Sequence, residues 1–240
     1  MTMWIFVGVF FAILFVLAFV HYRLNKEFKI ETSWLALALA PVVIWLLATG
    51  QLAEFSGFGL AFKLNQATAQ PVSLQQEGNL IEPEQISADE KRGLSEIPKF
   101  IDKKVAALRF NINKPNYYNN RAIEQYLAEL TPYPFFKYVL LTRTSGEFMA
   151  LVDPAQLLFE MRESQIDVVQ RLETGNIATL PGIITTSIPQ GSSKEKALQL
   201  MSQHNLSELP VVNEKQQFIG VVERDKITSS IVAKLVAASK

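Results

Sequence analysis

Two stretches of the chain are apolar without a period. From Trp4 to Val20 no charged or strongly polar residue interrupts the run. From Trp34 to Thr49, with Gly50 after it, the chain reads WLALALAPVVIWLLAT. A run this long with no wet face predicts a helix surrounded by apolar matter. As helix the first run spans about 25 Å at ~1.5 Å per residue, against a hydrocarbon core of about 30 Å. Thr2, Met3 and His21 then fall at the boundaries, and His21 and Tyr22 are amphipathic side chains suited to an interface. The second run is short, and Gln51 to Phe55 can add a turn. Pro41 lies in its middle, where it removes a backbone hydrogen bond and predicts a kink. Trp34 and Trp45 are candidate interface anchors. The reading is a transmembrane hairpin over residues 1–53. A buried core hairpin is the alternative, but two charge-free runs split by a charged loop suit a bilayer better. A cleaved signal peptide fits worse still, because the N-terminus lacks a basic region and no small-residue cleavage pattern follows Val20.

The pattern then changes. Gly57 to Leu64 alternates weakly and predicts a short strand. Gly57 and Gly59 invite a phosphate-loop reading, but no GK[ST] follows and no helix pattern opens there. Val72 to Ser95 is rich in Gln, Glu, Ser and Pro and has no aromatic residue. Such a stretch buries too little apolar surface to offset its ordering entropy, so it reads as a mobile or lightly attached linker. Residues 54–97 are thus expected to be a short strand and a polar linker.

The clearest periodic pattern lies near the C-terminus. Ile183 to Thr186 is a short β-branched run, broken by Pro189, Gly191 and Ser192. Lys194 to His204 reads as an amphipathic helix with Ala197, Leu198, Leu200 and Met201 on its apolar side. Leu209 to Val212 and Phe218 to Val222 form a hairpin around the polar turn Asn213 to Gln217. Asp225 to Leu235 closes the pattern as a helix carrying Ile227, Ile231, Val232 and Leu235. A weaker copy precedes it. Arg121 to Leu130 is a helix with Ala122, Ile123, Tyr126, Leu127 and Leu130 on one side. Tyr138 to Leu141 and Phe148 to Val152 are strands around the turn Thr142 to Glu147. Asp153-Pro154 opens a helix with Leu157, Leu158 and Met161, proline being well placed at a first helical position. Leu140-Leu141 matches Val211-Val212 and Phe148 matches Phe218, with one residue's difference in the turn. Pro132 to Phe136 lengthen the link before the strand.

The β-α-β-β-α order and the phrase LPVVNEKQQFIGVVERDKI, over Leu180 to Leu235, resemble a CBS domain, the module named after cystathionine β-synthase. The fold class expected is therefore α+β: two transmembrane helices followed by a tandem CBS-like pair. Residues 98–178 form the first, degenerate repeat and residues 179–240 the second. An unrelated α+β domain is the alternative for the first copy. The resemblance implies a paired module that dimerises through its helices. It also implies a ligand, commonly an adenine nucleotide, in a cleft between the copies. The family's usual signature after the second hairpin strand is a Gly, two apolar residues, a Ser or Thr, two variable residues and an Asp. The hydroxyl can donate to phosphate and the carboxylate can accept from both ribose hydroxyls. Here Gly220, Val221, Val222, Glu223, Arg224, Asp225 and Lys226 stand in those places. Glu223 takes the hydroxyl position, Lys226 the carboxylate position, and Asp225 lies one place early. In the first copy Ala150 replaces the Gly and Asp153 the hydroxyl residue. A carboxylate where phosphate would approach adds like-charge repulsion, which Arg224 or Lys226 would have to offset. Glu223 and Asp225 also make sense as plain first-turn acids at a helix N-terminus. Thr185 and Thr186 are candidates to contact a base or ribose, or ordinary strand residues.

Charge and composition narrow the function. Lys+Arg and Asp+Glu both count 23, which argues against nucleic acid as a main partner, since phosphate binding wants a basic excess. The chain has no Cys, so a disulfide framework, a thiolate metal site and a thiol nucleophile are excluded. Its two histidines, His21 and His204, offer too few ligands at close spacing for a His-based metal site. No nucleophile motif appears, and the pair Glu82 and Glu84 lies in the expected linker. The expectation is not an enzyme but a membrane-anchored regulatory or sensor protein. The rival is a scaffold that keeps the dimer surface and has lost its ligand. A transporter is a weak reading, because two spans without an intramembrane charge make a poor path. Expected partners are the membrane, a second copy of the chain and another membrane protein. Orientation is in conflict. Arg23, Lys26 and Lys29 place the short loop in the cytoplasm and both termini outside, whereas the family resemblance places the C-terminal module in the cytoplasm, at a bacterial inner membrane. The second reading is the one adopted.

Overall fold

The computed structural model of the chain describes residues 60–86, 90–163, 167–180 and 182–237. The expected hairpin over 1–53, and Gly57 and Gly59, lie outside the described residues. Among the described residues no helix is long and apolar enough to cross a membrane.

The architecture is mixed α and β. In chain order the elements are α1 (Leu60–Thr68), α2 (Leu74–Glu77), β1 (Gly78–Leu80), β2 (Glu84–Gln85), α3 (Glu90–Asp102), β3 (Ala107–Asn111), α4 (Asn120–Leu130), β4 (Tyr138–Thr142), β5 (Phe148–Val152), α5 (Pro154–Glu163), α6 (Val168–Thr174), a single 3-10 turn at Ile177–Thr179, β6 (Ile188–Pro189), α7 (Lys194–Gln203), β7 (Glu208–Val212), β8 (Phe218–Glu223) and α8 (Arg224–Ala237). Among the described residues there are two four-stranded sheets, ordered β2-β3-β4-β5 and β1-β8-β7-β6. The strands and helices therefore spell β-α-β-β-α twice, as β3-α4-β4-β5-α5 and as β6-α7-β7-β8-α8. In each copy the strand before the helix runs parallel to the strand after it, β3 to β4 and β6 to β7.

Two compact units divide the chain. Of the described residues, one holds those from Leu60 to Gly78, Gly191–Leu209 and Val222–Ala237; the other holds those within Asn79–Gln190 and Pro210–Val221. The second unit contains the first repeat entire. Its helix α4 starts at Asn119, whose side chain accepts from the Ala122 amide, a good N-cap. Five apolar residues of α4, Ala122, Ile123, Tyr126, Leu127 and Leu130, are buried. All but Ala122 pack in one core with Leu108 and Phe110 of β3, Val139 and Leu141 of β4, Ala150 and Val152 of β5, and Leu157 of α5.

Strand β4 is central and buried throughout, as a strand covered on both faces must be. Its odd-numbered residues face the helices. Tyr138 and Leu140 face the other way, into a second core that holds Ile81, Ala107, Phe148, Leu151, Val212, Phe218 and Val221. Plain alternation along β5 would put Phe148 with Ala150 and Val152. It does not, because the β4–β5 register shifts between Leu141 and Thr142, a bulge on the β5 side opposite Thr142. A bulge re-aims the side chain beyond it, and here it turns Phe148 onto Phe218, ring to ring at 6.2 Å and 21°.

The hairpin turns of the two repeats are built alike. The Arg143 amide bonds to the Glu147 carbonyl, as the Asn213 amide bonds to that of Gln217. The Gly146 amide closes on Arg143, as the Gln216 amide closes on Asn213. Gly146 and Gln216 both adopt positive φ, 84° and 59°. The expected one-residue difference in the turn is therefore absent. The true partner of Val212 is Thr142, not Leu141, and the offset then stays constant from Thr142 through Pro154, which matches Arg224 at a helix start. Thr142 can stay polar at this buried place because its hydroxyl donates to Asn111 Oδ1 at 2.9 Å.

Three other expectations change. The end of the expected strand Gly57–Leu64 is helical, since α1 begins at Leu60. Of the expected linker Val72–Ser95, the described residues include α2, β1, β2 and the first turns of α3. It buries Val72, Glu77, Ile81 and Ile86. Composition misled here because a few spaced anchors suffice to hold a polar segment onto a larger core. The strand expected at Ile183–Thr186 falls instead at Ile188–Pro189, parallel to β7. Ile184 pairs with Leu151 as an isolated antiparallel bridge.

Candidate functional site

The residues expected to bind a ligand fall in both units. Asp153 precedes α5 and is exposed. Its carboxylate accepts from the Gln156 amide at 2.8 Å, so it caps a helix instead of presenting a hydroxyl-like donor. Thr185 is exposed and Thr186 half-buried, both between the Ile184 bridge and β6. Ile184 and Leu151 exchange both backbone hydrogen bonds, at 2.9 and 2.8 Å. In an antiparallel pair of that register Thr185 runs toward Ala150 and away from Asp153. The second unit thus does not bring Asp153 and the threonines to one point.

In the other unit, Glu223 ends β8 and Asp225 lies in the first turn of α8. Lys226 Nζ pairs with Glu223 Oε1 at 2.8 Å. The charge expected to repel phosphate is therefore offset by its own neighbour. Arg224, the other expected compensator, is engaged: its Nη2 donates to the Met201 carbonyl at 2.7 Å and its amide to that of Ser207 at 2.8 Å. Asp225 is exposed at the start of α8, where an acid suits the helix dipole.

A further cluster was not expected. Lys194 and Glu77 are 1% and 0% exposed, and they form an ion pair. Lys194 Nζ also donates to Ser230 Oγ at 2.9 Å. The Ser230 hydroxyl lies 2.8 Å from Glu77 Oε1 and 2.9 Å from the Ile227 carbonyl, either of which can take its proton. Glu77 Oε2 accepts from the Ser73 amide at 2.8 Å. Burial pushes the Glu77 carboxyl up, but the hydrogen bonds from Lys194, the Ser73 amide and Ser230, with the Lys194 charge, outweigh it and hold the group below its ordinary value. Nearby, Lys234 donates to Gln70 Oε1. Desolvation and the Lys194 charge lower the proton affinity of Lys234.

The arrangement is not that of an activated nucleophile. A lysine that activates a serine must be free to take its proton, whereas Lys194 is engaged in an ion pair with Glu77. The sequence did carry one signal for this cluster. Lys194, Ala197, Leu198 and Met201 follow the i, i+3, i+4, i+7 spacing of one helix face, and all four are buried. A lysine on the apolar face of a helix needs a buried counter-charge. The polar stretch before Gly78 supplies it.

A mixed α+β module with two β-α-β-β-α repeats is the class these observations define. The family model for the CBS domain matches residues 183–233, the second repeat. No curated protein sequence matches the chain significantly. Solved structures give partial likenesses. One is the soluble part of a magnesium transporter, 14% identical, with a TM-score of 0.36, covering 52% of this chain and 43% of that one. Another is a CBS domain pair/ACT domain protein from Thermotoga maritima, 18% identical, with a TM-score of 0.33, covering 53% and 88%. A third is the CBS domain of a bacterial CNNM/CorC family Mg2+ transporter, 14% identical, with a TM-score of 0.34, covering 60% and 81%. This chain spans under half of the first of these. The family match and the repeated strand order together support a CBS-type pair.

Proposed function

We propose that the chain is a membrane-anchored regulatory protein whose CBS-type pair takes a small ligand of the adenine nucleotide class. The observation that carries this reading is the seam on which the two repeats meet, with Phe148 on Phe218 at its centre. A module whose two copies share one buried core suits a regulatory role. The hairpin over 1–53 anchors it in a bacterial inner membrane with the C-terminal module in the cytoplasm. It acts as a homodimer beside another membrane protein.

A second reading has an observation of its own. Asp153 caps α5, Arg224 holds the Met201 carbonyl, and Lys226 is paired with Glu223. Residues so engaged favour a scaffold that recognises a protein and binds no ligand. Equilibrium dialysis of the whole chain in detergent against AMP, ADP and ATP separates the two. Saturable uptake that weakens on Asp225→Ala and on Thr185→Ala supports the sensor. No uptake of any nucleotide leaves the scaffold. Alkaline carbonate washing tests the anchor. The chain is expected to stay in the membrane pellet, and release into the supernatant would remove the hairpin from the account.

A further inference from the structure

The buried ion pair includes none of the residues expected to bind a ligand, and its placement in the chain is unusual. Residues 60–77 come shortly after the expected hairpin over 1–53, six residues separating the two. They are held against α7 and α8 at several points, all within one unit. The Val72 amide bonds to the Ser192 carbonyl at 2.8 Å, and the Lys194 amide to that of Gln70 at 2.9 Å. Pro71 and Ser193 form a bridge. Leu64, Ala67 and Val72 are buried. At the end of this seam Glu77, Lys194 and Ser230 close the contact with charge, and the Lys234–Gln70 bond adds a second tie on the surface side.

Apolar residues alone would hold such a segment, and would slide. A buried ion pair behaves differently. It contributes little net attraction, because desolvation offsets the Coulomb gain, but breaking it leaves one uncompensated charge inside the protein. It therefore permits a single register and makes release all-or-none. We propose that Glu77, Lys194 and Ser230 form a latch that fixes the membrane-proximal segment 60–77 onto helices α7 and α8. Through it, movement of the second repeat passes to the hairpin and movement of the hairpin passes to the repeat. The latch rests on the regulatory reading only for what opens it; its existence is read without ligand.

The test is amide hydrogen exchange on the whole chain in detergent. Lys194→Met removes the cation and leaves Glu77 buried alone, and Glu77→Gln leaves Lys194 without its counter-charge. Each is expected to speed exchange over residues 64–77 by about a hundredfold, the size of a broken buried pair. Exchange over β3 to β5 is expected to stay as in the wild type. The double variant Glu77→Leu/Lys194→Met leaves no buried charge and is expected to recover most of the protection. Unchanged exchange over 64–77 in both single variants, or equal loss over 64–77 and β3–β5, would overturn the latch. A latch that responds to these variants while no nucleotide alters wild-type exchange would count against the regulatory reading alone.

Discussion

Lys194 sits where a leucine would be the ordinary choice, on the buried face of α7 with Ala197, Leu198 and Met201. Its counter-charge lies far back in the sequence, in a stretch whose composition reads as linker. This is why the pair was hidden. A helix pattern shows which face is buried, but it does not show which distant residue answers a charge on that face. Acidification probes the pair without mutation. The Glu77 carboxyl is held below its ordinary value of 4.5. Its stabilisation is therefore complete above that value and is lost as pH falls through the lower folded-state value. Urea unfolding midpoints are expected to fall on acidification below about 4.5, and to fall less in Glu77→Gln. Equal acid sensitivity in both proteins would contradict the assignment. The surroundings of the residues expected to bind a ligand were only partly legible for a related reason. Glu223 ends β8 and Asp225 opens α8, but Thr185 and Thr186 lie before β6 and not at the end of a strand, and what each one bonds to is set by neighbours. Lys226 answers Glu223, and Asp153 turns inward on its own helix.

Elements with a strong local period were read well. Helices α4, α7 and α8 and the hairpins β4–β5 and β7–β8 lie within a few residues of their expected places. Each has its own buried face and needs no partner to be recognised. Short strands with little pattern were not. Strand β3 went unassigned, although its Ala107, Leu108 and Phe110 are fully buried. Strand β6 is two residues long and includes a proline, so it exists only because β7 runs beside it. The bulge in β5 was also invisible, since a register shift depends on the partner strand. Its consequence is measurable. Phe148 fills the seam only because the bulge re-aims it. Phe148→Ala is expected to cost about 3–5 kcal/mol, within the range for deleting a buried aromatic ring. Denaturant unfolding measures it. A loss below about 1 kcal/mol would mean that the seam does not hold the repeats together.

For the molecule as a whole, the repeated architecture was legible and the limits of its second half were not. Residues 60–80 belong with the second repeat. Glu77 answers Lys194, and β1 pairs beside β8 at the edge of the same sheet. A fragment beginning near residue 98 would lack Glu77, β1 beside β8 and β2 beside β3. It would leave Lys194 buried with no counter-charge. Studies of ligand response therefore need the segment from Leu60 onward, and the intact chain is the sounder choice. The measurement that bears most directly on the regulatory reading is thermal unfolding of the intact chain in detergent with AMP, ADP and ATP in turn. A ligand that binds only the folded form stabilises it by about 2.7 kcal/mol at a hundred times its dissociation constant. That corresponds to a rise in Tm of several degrees for a chain of this size. Such a rise is expected with at least one adenine nucleotide, and its loss in Asp225→Ala. A Tm that stays fixed with all three would contradict it and leave the chain as a scaffold.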